Sequence, residues 1–264
     1  MANPVLIAAS VTILPALAAL WYLLKRYEDY FEDARVFLAL VFGFFGGMFA
    51  VFMELAAFAI DPWTGVAALL FVVGGYAFFE TGVKLAVLGS KRFRNRKDTP
   101  YYGAALGLGF GAMMALGIVA INLNAVAPNA AFYNRTVEQL QYGPSSFLAM
   151  ALVPIGTIFV HGAAGVHIGR AVTEGKMAQG WGVGALIQAP ALFAFAMIYP
   201  SIGLGDAVTG RQWFFAIVTP LYGLWLMNSA RVNVLDTIVP QHIKDQIRRD
   251  KRRQARQAAA DEEE

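Results

Sequence analysis

The sequence predicts an all-α, polytopic membrane protein, and three observations carry that prediction. Hydrophobic residues make up 58% of the 264-residue chain and charged residues 15%, against roughly 45–50% and about 25% in a soluble domain. Seven stretches reach or approach the ~20 apolar residues that a helix needs to cross a bilayer. Positive charge alternates between rich and poor from one connecting segment to the next. The composition excludes a soluble enzyme. The 21 Lys and Arg nearly balance the 18 Asp and Glu, so no general basic surface is left for nucleic acid. Cysteine is absent, which excludes a disulfide framework, a thiolate metal site and a cysteine nucleophile, and leaves Glu, Asp and three histidines as candidate ligands or bases.

The seven spans fall at about 4–24, 36–60, 66–89, 104–127, 145–169, 181–199 and 213–229. The first begins Met-Ala-Asn-Pro with no basic segment before it, and Lys25 and Arg26 come after the apolar run; it reads as a retained helix and not as a cleaved secretion signal. The second carries Glu54, the third Glu80 and Lys84, and the fifth His161 and His167. The fourth opens YYGAALGLGFGAMMALG, with Gly103, Gly107 and Gly111 on one face. Small residues at that interval let helices approach closely in lipid, which predicts a central fourth helix packed on the third and fifth. Gly107-Leu108-Gly109 is no dinucleotide loop, because no strand precedes it. The seventh, WFFAIVTPLYGLWLMNSA, has no lysine for a retinal Schiff base, and no GxxxxGK[ST] loop for an ATP-driven pump occurs.

Lys and Arg number 3 in 25–35, none in 61–65, 5 in 90–103, 1 in 128–144, 2 in 170–180, 1 in 200–212 and 8 after 230. Cytoplasmic segments carry the positive excess, so the amino terminus is expected outside and the carboxyl terminus inside. The sequon Asn134-Arg135-Thr136 then falls outside. Residues 1–235 form the membrane domain and 236–264 a charged cytoplasmic tail. That tail mixes Ile238, Val239, Ile243 and Ile247 with RRDKRRQAR and ends in four acidic residues; it reads as a solvated end, with adherence to anionic lipid as the alternative.

An ionisable group costs ~2.5–3.5 kcal/mol at the centre of a membrane helix on insertion scales, so each one inside a span needs a reason. Glu80 and Lys84 are four apart, on one helix face, with the acid first, the better order for an ion pair. Glu80 lies 9 residues before the boundary at 89 and His161 8 before that at 169, which puts both at one level, roughly 12–14 Å from the cytoplasmic edge at ~1.5 Å per residue. A carboxylate and an imidazole at one depth can bind a metal or share a proton. His161 and His167 lie about 120° apart around a regular helix, so they face one metal only if the helix breaks. His161 is the inner candidate and His167 the interfacial one. Glu54, nearer the outer face, is expected to pack elsewhere.

Three segments in order, FFETGVKLAVL, DTPYYGAALGLGFGAMMALG and GTIFVHGAAGVHIG, resemble the signature regions of PrsW-type membrane proteins, intramembrane metalloproteases related to the CAAX-protease group. The likeness covers about 66–170. It places Glu80 on the first glutamate of the family's paired glutamates, Lys84 on its lysine and His161 on its histidine. It implies zinc as the cofactor, with Glu80 activating a metal-bound water and His161 as a ligand; His167 or Glu54 supplies a third ligand only through an irregular helix or an unexpected depth. Thr81 stands where the second glutamate belongs, and Met114-Ala115 stand in place of a Glu-Asn pair. The resemblance therefore implies a relative in the cell membrane with an incomplete ligand set, one that binds membrane-protein segments without cutting them. An active metalloprotease and a proton- or ion-coupled carrier using Glu80, Lys84 and His161 remain the alternatives.

Because the chain has no cysteine, single cysteines report sidedness cleanly. In intact cells an impermeant maleimide is expected to label a cysteine at Thr136 and not one at Ser90; the opposite pattern would reverse the assignment.

Overall fold

The structure, a computed structural model, describes residues 4–27, 30–60, 66–122, 144–198, 209–246, 248, 249, 253 and 257. Among them the chain is helical and forms no strand. Seven long helices run in order: α1 Pro4–Leu24, α2 Asp33–Ile60, α3 Val66–Leu88, α4 Thr99–Asn122, α5 Pro144–Thr173, α6 Met177–Ile198 and α7 Thr209–Ala230. A π-helical turn, Arg231–Leu235, and a short helix, α8 Asp236–Ile238, follow. Among the described residues five stretches are long and apolar enough to cross a membrane: Leu6–Leu24, Asp33–Met53, Leu70–Leu88, Thr99–Ala120 and Leu152–Thr173. The Asn134 sequon lies outside the described residues.

The exterior of the bundle is apolar. Phe37, Phe45, Phe52, Phe71, Leu186, Leu221 and Trp225 are all more than half exposed, a surface that suits lipid and not water. Burial separates inner from outer helices: 83% of the α4 stretch and 78% of the α5 stretch lie inside the bundle, against 28–39% for α1 to α3.

Glycines explain why α4 is central. A Cβ at Gly103 would strike the Gly165 carbonyl of α5, one at Gly107 would strike the His161 carbonyl, and one at Gly111 would lie 2.8 Å from the Ile158 Cα. The opposite side of α4 is equally close to α2, where Gly43 and Gly47 meet the backbones of Leu106 and Phe110 and Gly109 meets that of Leu40. This corrects the expected neighbours. The contact with α5 is as predicted, but α2 and α1 occupy the other side of α4, and α3 touches α4 only slightly and packs mainly on α6. The sequence showed one glycine face, whereas the helix has two.

One end of the bundle is tied by polar contacts. Arg96 bonds Glu32 at 2.6 Å and Asp98 at 3.1 Å, and the Tyr102 hydroxyl donates to Asp98. The bond to Asp98 holds the Arg96 guanidinium above its ordinary range. Thr173 donates to the Arg96 carbonyl at 3.0 Å, Tyr101 to the Leu235 carbonyl at 3.2 Å, Tyr30 to the Ile238 carbonyl at 3.0 Å and Arg26 to Asp236 at 2.9 Å. Burial raises the Tyr30 phenol, and the nearby Asp98 charge adds to that. These bonds bring the four segments richest in Lys and Arg to one end, as an up-and-down bundle requires.

Glycines with and without neighbours give a paired test. Gly107→Ala is expected to cost ~1–3 kcal/mol by overpacking. Gly75 has nothing within 4 Å of an added Cβ, so Gly75→Ala is expected to be neutral or up to ~1 kcal/mol stabilising. Unfolding of the detergent-solubilised protein measures both; equal stabilities would contradict the close α4–α5 contact.

Candidate functional site

Five of the buried polar side chains gather at one point, from α3, α5 and α6. Glu80, Thr81, Lys84 and Gln188 are fully buried and His161 is 2% exposed. On α3, Glu80 and Lys84 share a face by their four-residue spacing, with Lys84 Nζ 4.0 Å from Glu80 Oε2. From α5, His161 brings Nδ1 to 3.8 Å from the same carboxylate oxygen and 3.0 Å from Lys84 Nζ. The two residues placed at one depth by helix arithmetic thus meet. The glycines of α4 allow this, since Gly107 and Gly111 are what let the His161 backbone and Cβ lie against α4.

Gln188, on α6, joins the parts. Its Oε1 accepts from Lys84 Nζ, and its Nε2 donates to Thr81 Oγ1 and, at 3.0 Å, to the Gly184 carbonyl. Its Oε1 also lies 2.8 Å from His161 Nδ1. Nδ1 thus either accepts from Lys84 Nζ or donates to Gln188 Oε1, according to which ring nitrogen carries the proton. Phe110 of α4 covers the group: Lys84 Nζ stands 3.7 Å from its ring centroid, a cation–π contact, and the His161 ring lies 5.3 Å away, centroid to centroid.

Beside His161 and Gln188 is a cavity of about 10 Å³, lined also by Met114, Thr157, Leu192 and Phe195. That is room for about one water, next to an imidazole, an amide and a hydroxyl that could hold it.

His167 is not part of this group. It lines a separate cavity with Arg170, Glu174 and Lys176, because six residues along a regular helix turn it away from His161. Among the described residues no three His, Asp or Glu side chains come together as a metal site would require. The expected set Glu80, His161 and His167 is therefore not assembled. Zinc fits poorly here, since the Nδ1 side of His161 faces an ammonium and an amide. Thr81 is a hydrogen-bond partner of Gln188, and Met114 packs with Ala50, Val51 and Phe110. The side chain of Glu54 lies outside the described residues. The residue that the sequence analysis passed over is Gln188. Its signal was an uncharged amide inside the apolar run GALIQAPALFAFAMI, less conspicuous than a charge.

No family model, no curated protein and no solved structure matches the sequence. Fold and site together define an all-helical protein with helices of membrane-crossing length and a buried Glu–Lys–His–Gln cluster.

Removing one partner of a buried ion pair strands a charge, at ~3–5 kcal/mol. Glu80→Gln is expected to lose about that much. The double change with Lys84→Met is expected to recover at least half, because His161 Nδ1 can then take a proton and donate to Gln188. A double variant as unstable as the sum of the singles would show that the two charges are independent.

Proposed function

We propose that this chain is a seven-span protein of the cell membrane, amino terminus outside and basic carboxyl-terminal tail in the cytoplasm, related to the PrsW-type proteases but without their metal chemistry. It binds a segment of another membrane protein and does not cleave it. What supports the loss of metal chemistry is the short donor set: Glu80 and His161 come within 3.8 Å, and among the described residues no third His, Asp or Glu joins them. A catalytic zinc takes three protein ligands and an open position. Here Glu80 and one imidazole would have to suffice, while Thr81 and Met114 stand where the resemblance calls for ligands. The sidedness is supported by the basic segments, which gather at one end of the bundle, since cytoplasmic segments carry the positive excess.

A second reading draws on a different observation. Glu80, Lys84 and His161 lie within 4.0 Å of one another, and His161 borders a water-sized cavity, the parts a proton relay uses. Proton flux into liposomes, lost in Glu80→Gln, would favour the relay over the binding role.

Metal content tests the principal reading. Protein purified without added metal is expected to hold well under one equivalent of zinc, and His161→Ala is expected to fold. Thr81→Glu combined with Met114→Glu is expected to raise the zinc content. A wild-type protein carrying one tightly held zinc, lost in both Glu80→Gln and His161→Ala, would overturn the proposal in favour of an active metalloprotease.

A further inference from the structure

His167, turned away from the buried cluster, lines the larger of two described cavities. This one has a volume of about 320 Å³ and sits where α5 ends and α6 begins, with Arg170, Glu174, Lys176, Gln179 and Val183 in its wall. Arg170 Nε donates to one Glu174 oxygen at 2.8 Å and Lys176 Nζ to the other at 2.9 Å. Two cationic groups thus converge on an oxyanion that the chain itself supplies, and these bonds hold the Glu174 carboxyl below its ordinary range. The pairing leaves donors over. A guanidinium has five N–H groups and an ammonium three, and the Arg170 and Lys176 side chains are 47% and 57% exposed.

We propose that this cavity binds the phosphate headgroup of an anionic phospholipid, with Arg170 and Lys176 as the phosphate donors, His167 and Gln179 as polar walls, and Glu174 as the internal anion that the lipid displaces. The charge balance favours an anion, with two permanent cations against one carboxylate. Orientation toward lipid follows from the neighbouring surface. Val183 lines the cavity on the α6 side, and Trp181 and Leu186 of the same helix are 44% and 74% exposed. The Trp181 Nε1 donates to the Phe78 carbonyl at 2.7 Å, which holds the ring against α3 on the apolar side of the cavity. A phosphate bound at Arg170 would leave its acyl chains beside an apolar helix surface, an arrangement that a soluble phosphate compound does not exploit.

The inference rests on the membrane reading but not on the fate of the buried cluster. The full-length protein in neutral detergent is titrated with phosphatidylglycerol and with phosphatidylcholine, and bound lipid is counted by native mass spectrometry. The expected result is a preference for phosphatidylglycerol that falls about fivefold for each basic residue removed in Arg170→Gln and Lys176→Gln, the scale of one Lys or Arg at an anionic surface. Glu174→Gln is expected to strengthen binding, a gain that misfolding cannot produce. Equal binding of the two lipids, or a preference that survives in the Arg170→Gln, Lys176→Gln double variant, would overturn the proposal. So would binding of inorganic phosphate alone without phosphatidylglycerol, which would assign the cavity to a free anion. A protein that stays monodisperse without detergent would instead refute the membrane reading itself.

Discussion

The close approach of α4 to α5 is the constraint on which the rest of the bundle depends. Gly103 meets Gly165 backbone to backbone, and Gly107 lies against the His161 carbonyl. Helices in lipid gain little from hydrophobic association with one another, because the tails are as apolar as the side chains, so contact at this range is what holds them. A methyl at either glycine would push α5 away and carry His161 from Lys84. Gly162 makes the same point from the other helix, since it leaves the space that the Leu108 side chain fills. With α2 seated equally closely on its far side, α4 becomes the axis of the fold while contributing no ionisable group to the cluster that it positions.

The magnitudes argue that this cluster is no source of stability. At 4.0 Å an ion pair gains roughly 4 kcal/mol at an effective dielectric of 20, whereas removing each ion from water costs several kcal/mol. The Coulomb gain of the Glu80–Lys84 pair is thus offset by desolvation. What makes the arrangement tolerable is the company of Lys84: an imidazole nitrogen, an amide oxygen and an aromatic face share its charge. Such an assembly, drawn from four helices, is expensive to form and specific once formed.

The helices were legible because apolar runs of this length have few other fates, and the Glu80–His161 encounter was legible because rise per residue is constant. The two residues meet despite a misplaced boundary: α5 runs on to Thr173, about one turn past the expected end. Gln188 was not legible by the same logic, since a search for charges passes over an amide. The partner of α3 was hidden for a related reason. Periodicity shows which residues share a face, and α4 has small residues on both of its faces, so nothing in the run YYGAALGLGFGAMMALG says which neighbour takes which side. His167, a candidate ligand by sequence, is turned away from His161 by the regular course of α5. Its neighbours Arg170, Glu174 and Lys176 belong to the cavity that it lines instead.

The depth at which the buried groups meet is set from the polar end. Thr173 at the last turn of α5 bonds the Arg96 carbonyl just before α4 begins, and Arg96 is fixed in turn by Glu32 ahead of α2. These bonds lock the axial register of the helices at one end, and at 1.5 Å per residue a slip of one residue there would move His161 relative to Glu80 by ~1.5 Å, enough to break the 3.0 Å contact with Lys84. The π-helical turn Arg231–Leu235 belongs to the same device. Its wider turn brings Val234 and Leu235 into the core, so that the Leu235 carbonyl reaches Tyr101 and Asp236 reaches Arg26. The segments richest in basic residues therefore do more than record which end of the bundle is positive: the bonds between them hold in register a cluster buried inside the apolar bundle.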